Sequence, residues 1–364
     1  MKIALIHDWL NGMRGGEKVL EHISDVFPDA PIFSLHGEKE KLSDKLRKKE
    51  IHFSFIQKLP LKNKYYRYYF PFFPFAIESF DFSKYDLAIS TSHCVAKGIK
   101  THKNLCHISY CFTPVRYIWE FEDEYFGSNK LKKALIKPFL KFMKHWDKTT
   151  SKRVFKFITI SETVKKRIKK IYNRESTIIY PPCNYKFSPN KNKSNYYLIL
   201  SALVPYKKID LAIEVFNKLK YPLLIAGTGP EENKLKKMSN KNIKFTGWIT
   251  EEEKIDLLKN AKAFIFPGIE DFGIAPLEAI AFGTPVIALK KGGAKETVIE
   301  NTSGIFFEEQ TFSSLEKAIK HFEKNQFVVE KEPPNFHKFS PDYFKKQLKN
   351  EIEKTYKEFK KSNI

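Results

Sequence analysis

Between Tyr196 and Ile299 short apolar runs alternate with helical patterns, and few architectures accept that rhythm. YYLIL (Tyr196–Leu200) reads as a buried strand. Lys207–Leu219 reads as a helix with Leu211, Ala212, Val215, Phe216 and Leu219 on one face. Strands follow at Pro222–Gly227, Asn242–Thr246, Ala263–Phe266 and Pro285–Leu289, and helices at Pro230–Met238, Glu251–Lys259, Gly273–Phe282 and Ala294–Ile299. Strands taken up one by one with helices imply a parallel sheet covered on both faces.

The amino-terminal half is less regular but of the same kind. Strands are predicted at KIALI, PIFSL, DLAIST, LCHISY and FKFITIS, and helices at Gly16–Phe27 and Val164–Ile171. A length of 364 residues exceeds one ordinary core and suits two. The expected class is therefore α/β, with two doubly wound Rossmann-like domains, residues 1–185 and 186–340. The Pro- and Asn-bearing stretch 180–195 joins them. A last helical segment, 341–364, is expected to return to the first domain. Ligands in such folds sit beyond the carboxyl ends of the strands, here in a cleft between the domains.

Four cysteines without a CxxC or zinc spacing read as reduced thiols of a cytoplasmic protein. The apolar start meets His7, Asp8 and Arg14 with no small-residue cleavage site, so it reads as a first strand and not a leader. No run approaches the roughly 18 apolar residues of a membrane span. The net charge of +22 points either to a solvated Lys-rich surface or to an anionic partner.

The strand Ala263–Phe266 ends at Pro267-Gly268; Glu270, Asp271 and Glu278 follow, and Gly273 opens a helix. Strand, glycine turn and helix start place free backbone N–H groups at the sheet edge, which favours an anion. Glu270 there can accept hydrogen bonds from a hydroxyl-rich ligand; the bland alternative is an acid stabilising the helix dipole. Glu278 lies between apolar neighbours, and a buried Glu needs a partner. Lys207 and Lys208 stand where cations are unfavourable at a helix start, unless an anion is near. Gly15-Gly16 opens a helix after the first strand, either as a plain tight turn or as a close approach for a ligand. His93 follows the strand Asp86–Thr91 at its carboxyl end, where a structural histidine is the bland reading.

PGIEDFGIAPLEAIAFGTPVIALKKGGAKETV resembles the donor-binding signature of the retaining glycosyltransferases of family four, which have the GT-B fold. The resemblance spans almost the whole chain and looks closest to bacterial mannosyltransferases of surface-polysaccharide assembly. It implies that Glu270 contacts the donor sugar, Glu278 the ribose, and that the backbone of Phe272, Gly273 and Ile274 lies near the sugar. SALVPYKKIDLAIEVF resembles the segment whose Arg and Lys grip the diphosphate. Lys207 holds the Lys position, but the Arg position is Ala202, with Lys208 a possible substitute. HDWLNGMRGGEKVLE resembles the first-domain loop, placing Gly15 and Gly16 by the donor. His93 matches the histidine near the reacting carbon, as a positioning group and not a general base. AGTGPE and FTGWIT match the turns that flank the nucleotide: Gly227 and Gly229 would allow close approach, and Trp248 would lie near the base or serve equally as core.

The resemblance implies transfer of a hexose, best guessed as mannose from GDP-mannose, to a hydroxyl with retention. No cofactor is expected, and metal independence is expected because Lys207 and a helix N-terminus can carry the diphosphate charge. Glu122-Asp123-Glu124 is the one acidic run that looks like a metal pair. Residues 130–170 hold fifteen Lys or Arg against Asp147 and Glu162. Leu131, Leu135, Phe139, Phe142, Met143 and Trp146 follow helical spacing there, with a kink or interruption expected at Pro138. With the aromatic run Lys62–Ile77, this suits docking on an anionic membrane, or else a core helix with a solvated basic face. Expected partners are thus a nucleotide-sugar donor, a lipid-linked saccharide acceptor and the inner face of the cytoplasmic membrane. No nucleic-acid motif is present. A sugar-nucleotide epimerase of related architecture and a non-catalytic sugar-nucleotide- or anionic-polymer-binding protein remain the alternatives.

Overall fold

The computed structural model describes residues 1–120 and 130–362, with the backbone alone for 63, 64 and 130–134. The chain divides into two compact units: residues 1–181 with 341–364, and residues 182–340.

The first unit carries β1 (Ile3–His7), β2 (Ile32–Ser34), β3 (Ile51–Phe53), β4 (Leu87–Ser92), β5 (Cys106–Cys111), β6 (Lys156–Thr159) and β7 (Ser176–Ile178). They form one parallel sheet in the order β3-β2-β1-β4-β5-β6-β7. β4 and β5 are buried along their whole length, as a sheet covered on both faces requires. The second unit carries β8 (Tyr197–Leu200), β9 (Leu223–Ala226), β10 (Ile243–Gly247), β11 (Ala263–Phe266), β12 (Val286–Leu289) and β13 (Gly304–Phe307), parallel in the order β10-β9-β8-β11-β12-β13. In each sheet the strand order reverses at one point, between β1 and β4 and between β8 and β11. Those two points place the sites described below.

Helices of eight residues or more are numbered in chain order: α1 (Gly15–Val26), α2 (Lys130–Thr150), α3 (Glu162–Tyr172), α4 (Ile209–Leu219), α5 (Glu251–Asn260), α6 (Ile274–Ala281), α7 (Phe312–Lys324) and α8 (Pro341–Ser362). Local chemistry sets their ends. Ser161 accepts from the Val164 N–H to start α3, and Asn173 in the left-handed region stops it. Thr250 and Glu253 form a reciprocal capping box on α5. α8 belongs to the first unit: Phe344 packs edge-on against Tyr110, and Lys345 pairs with Asp25 on α1 at 2.6 Å.

Three expectations need correction. The helix expected from Lys207 begins at Ile209; Lys207 ends a short 3-10 turn, and Lys208 takes a left-handed conformation at φ 53°. Pro138 does not interrupt α2, because Leu140, Met143 and Trp146 anchor the helix in the core beyond it. Much of the apolar stripe is therefore core, although Leu135 and Phe142 stay exposed. Trp248 is not a core residue, being 76 % exposed. The four cysteines are buried and unbridged. The run Glu122-Asp123-Glu124 and the side chain of Leu131 lie outside the described residues. No helix among the described residues is long and apolar enough to cross a membrane.

Candidate active site

In the second unit the strand-order reversal brings the loops after β8 and β11 side by side. The first supplies Ser201, Ala202 and Lys207, the second Pro267 to Gly273. Lys207 Nζ is ion-paired with the Glu270 carboxylate, and both are mostly buried, at 13 % and 24 % exposed. Close backbone contact makes this pairing possible: a Cβ on Gly268 would lie 2.9 Å from Lys207 Cα. The loop is braced from behind. Gly293 N–H donates to the Glu270 carbonyl at 2.8 Å, and a Cβ on Gly293 would fall 2.2 Å from Phe272 Cα. Gln310 holds the Pro267 carbonyl at 2.8 Å, and Phe272 rests on Phe339. The Gly-Gly turn after β12 thus fits only without side chains, and it fixes where Glu270 stands.

Gly273 then opens α6 at φ 97°, a left-handed geometry that costs other residues steric strain. Gly273 has no side chain with which to cap the helix start. Glu278, one turn on, is 6 % exposed. Its partner is Lys254 of α5 at 3.0 Å, and Lys254 also meets Glu251 at 3.0 Å. Burial pulls the Lys254 ammonium down, but Glu278, Tyr185 and Glu251 together outweigh it and hold the group above its ordinary value.

Gly227 and Gly229 pack against the loop after β8. A Cβ on Gly227 would lie 1.9 Å from the Ser201 carbonyl oxygen, and one on Gly229 would lie 2.3 Å from that of Leu203. Protein backbone, the loop after β8, already fills the space their side chains would take. Ala202 on that loop is exposed, as is Lys208. Trp248 projects from the carboxyl end of β10.

The first unit has its own cluster at the reversal between β1 and β4. His93 follows β4 and puts Nδ1 3.1 Å from Asp8, which follows β1 and is fully buried. His7 Nδ1 lies 2.7 Å from Thr91 Oγ1, whose own hydrogen goes to the Ile6 carbonyl at 3.0 Å. His7 must therefore donate through Nδ1, leaving its buried Nε2 without a partner among the described residues. Burial first, then His93, drives the His7 pKa down to about 3, so the ring is neutral. Gly16 lies on this ring: its Cβ would touch His7 Cε1 at 3.4 Å. Gly15 beside it is exposed at the start of α1.

Asp8, Glu17 and Lys254 escaped the sequence reading. The only signal for Asp8 was its place at the end of a strand. Glu17, in the first turn of α1, is 4 % exposed, and burial raises its carboxyl to about 7 against its own and the Arg14 N–H groups. The folded chain therefore keeps a proton that the unfolded chain releases near 4.5. Stability should fall as pH rises from about 4.5 to about 7. Glu17→Gln should leave the melting temperature unchanged near pH 4 but add on the order of 3 kcal/mol near pH 8. Equal effects in thermal melts at both pH values would contradict this.

Residues 184–340 match the family model described as "Glycosyl transferases group 1". The second unit is a glycosyl transferases group 1 domain. An uncharacterized glycosyltransferase of Methanocaldococcus jannaschii is 24 % identical over 208 residues, 56 % of this chain and 59 % of that protein. The O-antigen chain mannosyltransferase RfbU of Salmonella typhimurium is 32 % identical over 153 residues, 38 % of this chain and 43 % of that one. The chain thus spans about half the length of these curated relatives, 59 % and 43 %. Among solved structures, Anabaena HepE in complex with UDP-glucose superposes with a TM-score of 0.71 at 16 % identity, over 97 % of this chain and 100 % of that one. The lipopolysaccharide outer core galactosyltransferase WaaB gives 0.64 at 16 %, over 97 % and 99 %. At such identity the likeness speaks for the fold, which is the two-Rossmann architecture of the GT-B glycosyltransferases. Within the group 1 domain, Lys207, Glu270 and Glu278 all lie on or beside the loops at the strand-order reversal.

Proposed function

We propose that the protein is a retaining, metal-independent hexosyltransferase that moves mannose from GDP-mannose to a hydroxyl of a lipid-linked or growing polysaccharide. The observation that carries this reading is the Lys207–Glu270 ion pair in the loop that leads into α6 of a group 1 domain. A donor diphosphate would take Lys207 and the Ile274 and Ala275 N–H groups as its counter-charge. Glu270, released from Lys207, would accept from the hydroxyls of the sugar, and Glu278 from those of the ribose. Neither step calls on a metal ion. His93 would position the saccharide, and the leaving phosphate would take the acceptor's proton.

Mannose as the donor sugar rests on relatives named O-antigen chain mannosyltransferase and GDP-mannose-dependent phosphatidylinositol monomannoside mannosyltransferase, the latter from Corynebacterium glutamicum and 36 % identical over 118 residues. Anabaena HepE was solved with UDP and UDP-glucose, so the nucleotide decides between two donors. GDP should raise the melting temperature and quench Trp248 fluorescence, since an exposed indole near the base changes its environment on binding. Stabilisation by UDP and not by GDP would remove GDP-mannose from the account.

The acceptor side is read from the first unit. Tyr68, Phe72, Phe75, Leu135 and Phe142 are exposed there, and Lys137, Lys141 and Lys148 are exposed on α2. Apolar side chains interleaved with Lys suit peripheral attachment to the anionic inner face of the cytoplasmic membrane, at ~1 kcal/mol per basic group. The protein should float with phosphatidylserine or phosphatidylglycerol vesicles and not with phosphatidylcholine. Equal flotation with both would count against an electrostatic contact.

A further inference from the structure

Asp8 makes an unusual number of contacts for one carboxylate. Its Oδ2 accepts from the His93 N–H at 2.7 Å and the Cys94 N–H at 2.9 Å. Its Oδ1 accepts from the Val95 N–H at 2.6 Å and the Ala96 N–H at 2.7 Å. His93 Nδ1 adds a fifth contact, 3.1 Å from Oδ2. Two carboxylate oxygens offer about four lone-pair positions, so this group is saturated with donors. It is also completely buried. Four backbone dipoles stabilise the charge, and the same contacts fix the turn that carries the imidazole.

We propose that Asp8 is a positioning residue for His93, holding the imidazole in its Nδ1–H form so that Nε2 is presented as a hydrogen-bond acceptor to a saccharide hydroxyl. An ionised carboxylate only accepts, so the ring nitrogen facing it must carry the proton. In a neutral imidazole the other nitrogen is then bare. Burial lowers the His93 pKa, with Arg14 adding to the effect and Asp8 opposing it, so the neutral ring is favoured. The ring cannot turn freely. Trp9 meets it edge-on at 4.5 Å between centroids, with His7 at 6.2 Å and Phe112 at 6.4 Å. The side chain is 26 % exposed while Asp8 is wholly covered, so what is exposed lies away from the carboxylate. An acceptor nitrogen in that place selects a hydroxyl and rejects a phosphate oxygen, which brings no hydrogen.

The choice of a saccharide rests on the proposed transfer activity, whereas the tautomer does not. The first test is a long-range proton–nitrogen correlation spectrum of the ligand-free full chain near neutral pH, with His93 assigned through His93→Gln. A neutral Nδ1–H ring is expected. An Nε2–H or doubly protonated ring overturns the proposal, and this measurement needs no variant of Asp8 to fold. In transfer assays Asp8→Asn should lower kcat/KM by roughly 10- to 100-fold. Added to His93→Phe, it should cost nothing further, because it acts through the ring. Independent, additive losses would assign Asp8 a structural role only and overturn the proposal. Monodeoxy donors and monodeoxy acceptors separate the two sources of the hydroxyl. One of them should lose about tenfold against the wild type and nothing against His93→Phe. If no deoxy position behaves so, the saccharide contact is overturned. If no donor is turned over at all while the Nδ1–H ring is observed, the transfer activity fails and the hold of Asp8 on His93 stands.

Discussion

Glu270→Ala should leave a folded protein whose sugar-transfer rate falls ~100- to 1,000-fold. The carboxylate lies in a loop that backbone contacts position independently: Gly293 N–H on the Glu270 carbonyl, and the side-chain-free approach of Gly292 and Gly293. Removing the side chain does not remove those braces. The loss in stability should be small, about 1 kcal/mol, since Lys207 can turn its ammonium to solvent. What is lost is the acceptor for sugar hydroxyls and the partner that holds Lys207 in place. Initial rates with a labelled donor, alongside a melting curve, check both halves. A rate within threefold of wild type would mean that Glu270 only stabilises the helix start.

Asp147→Ala should have the largest effect on stability. Asp147 is fully buried on α2, and Lys97 is 1 % exposed in the turn after His93. Lys97 Nζ lies 2.6 Å from Asp147 Oδ1, and its directed hydrogen bond goes to the Asp147 carbonyl at 3.0 Å. Trp119 Nε1 and the Tyr172 hydroxyl both donate to Oδ2, at 2.7 and 2.8 Å. The alanine keeps the carbonyl but leaves a buried ammonium without its counter-charge, and the Trp119 and Tyr172 donors without their acceptor. Breaking such a pair costs ~3–5 kcal/mol. For a unit of this size that is a drop of about 10 °C in melting temperature. Lys97→Met with Asp147→Leu should recover the part due to the unpaired buried charge, while the Trp119 and Tyr172 donors stay without their acceptor. A single variant that loses less than about 1 kcal/mol would contradict the account.

The sequence was most legible where burial is continuous. β4, β5, β8 and β11 are apolar runs inside sheets covered on both faces, and their patterns stand out from the helices between them. β3 and β7 escaped because three-residue edge strands that are half-buried carry almost no period. β13 and α7 lie beyond Ile299, where no further alternation was read. The loop after β11 was legible because its glycines and acids are adjacent in sequence. Glu278 was read as a buried acid in need of a partner, but Lys254 comes from another helix and no spacing announces it. For Gly227 and Gly229 the structure adds a reason that no spacing shows: the loop at Ser201–Leu203 occupies their side-chain space. Asp8 was the least legible, since its donors are 85 to 88 residues away and meet it only because β1 pairs with β4. Ala202, at the position where the resemblance expects an Arg, is exposed on the loop after β8.

Isothermal titration of GDP and UDP into the full-length protein and into Lys207→Ala tests the central claim, that the diphosphate of a sugar nucleotide is held beside Glu270. One of the two nucleotides should bind the wild type, and Lys207→Ala should weaken that binding at least ~10-fold, the effect of losing one charge-assisted contact. Unchanged affinity in Lys207→Ala, or no binding of either nucleotide to the wild type, would contradict it.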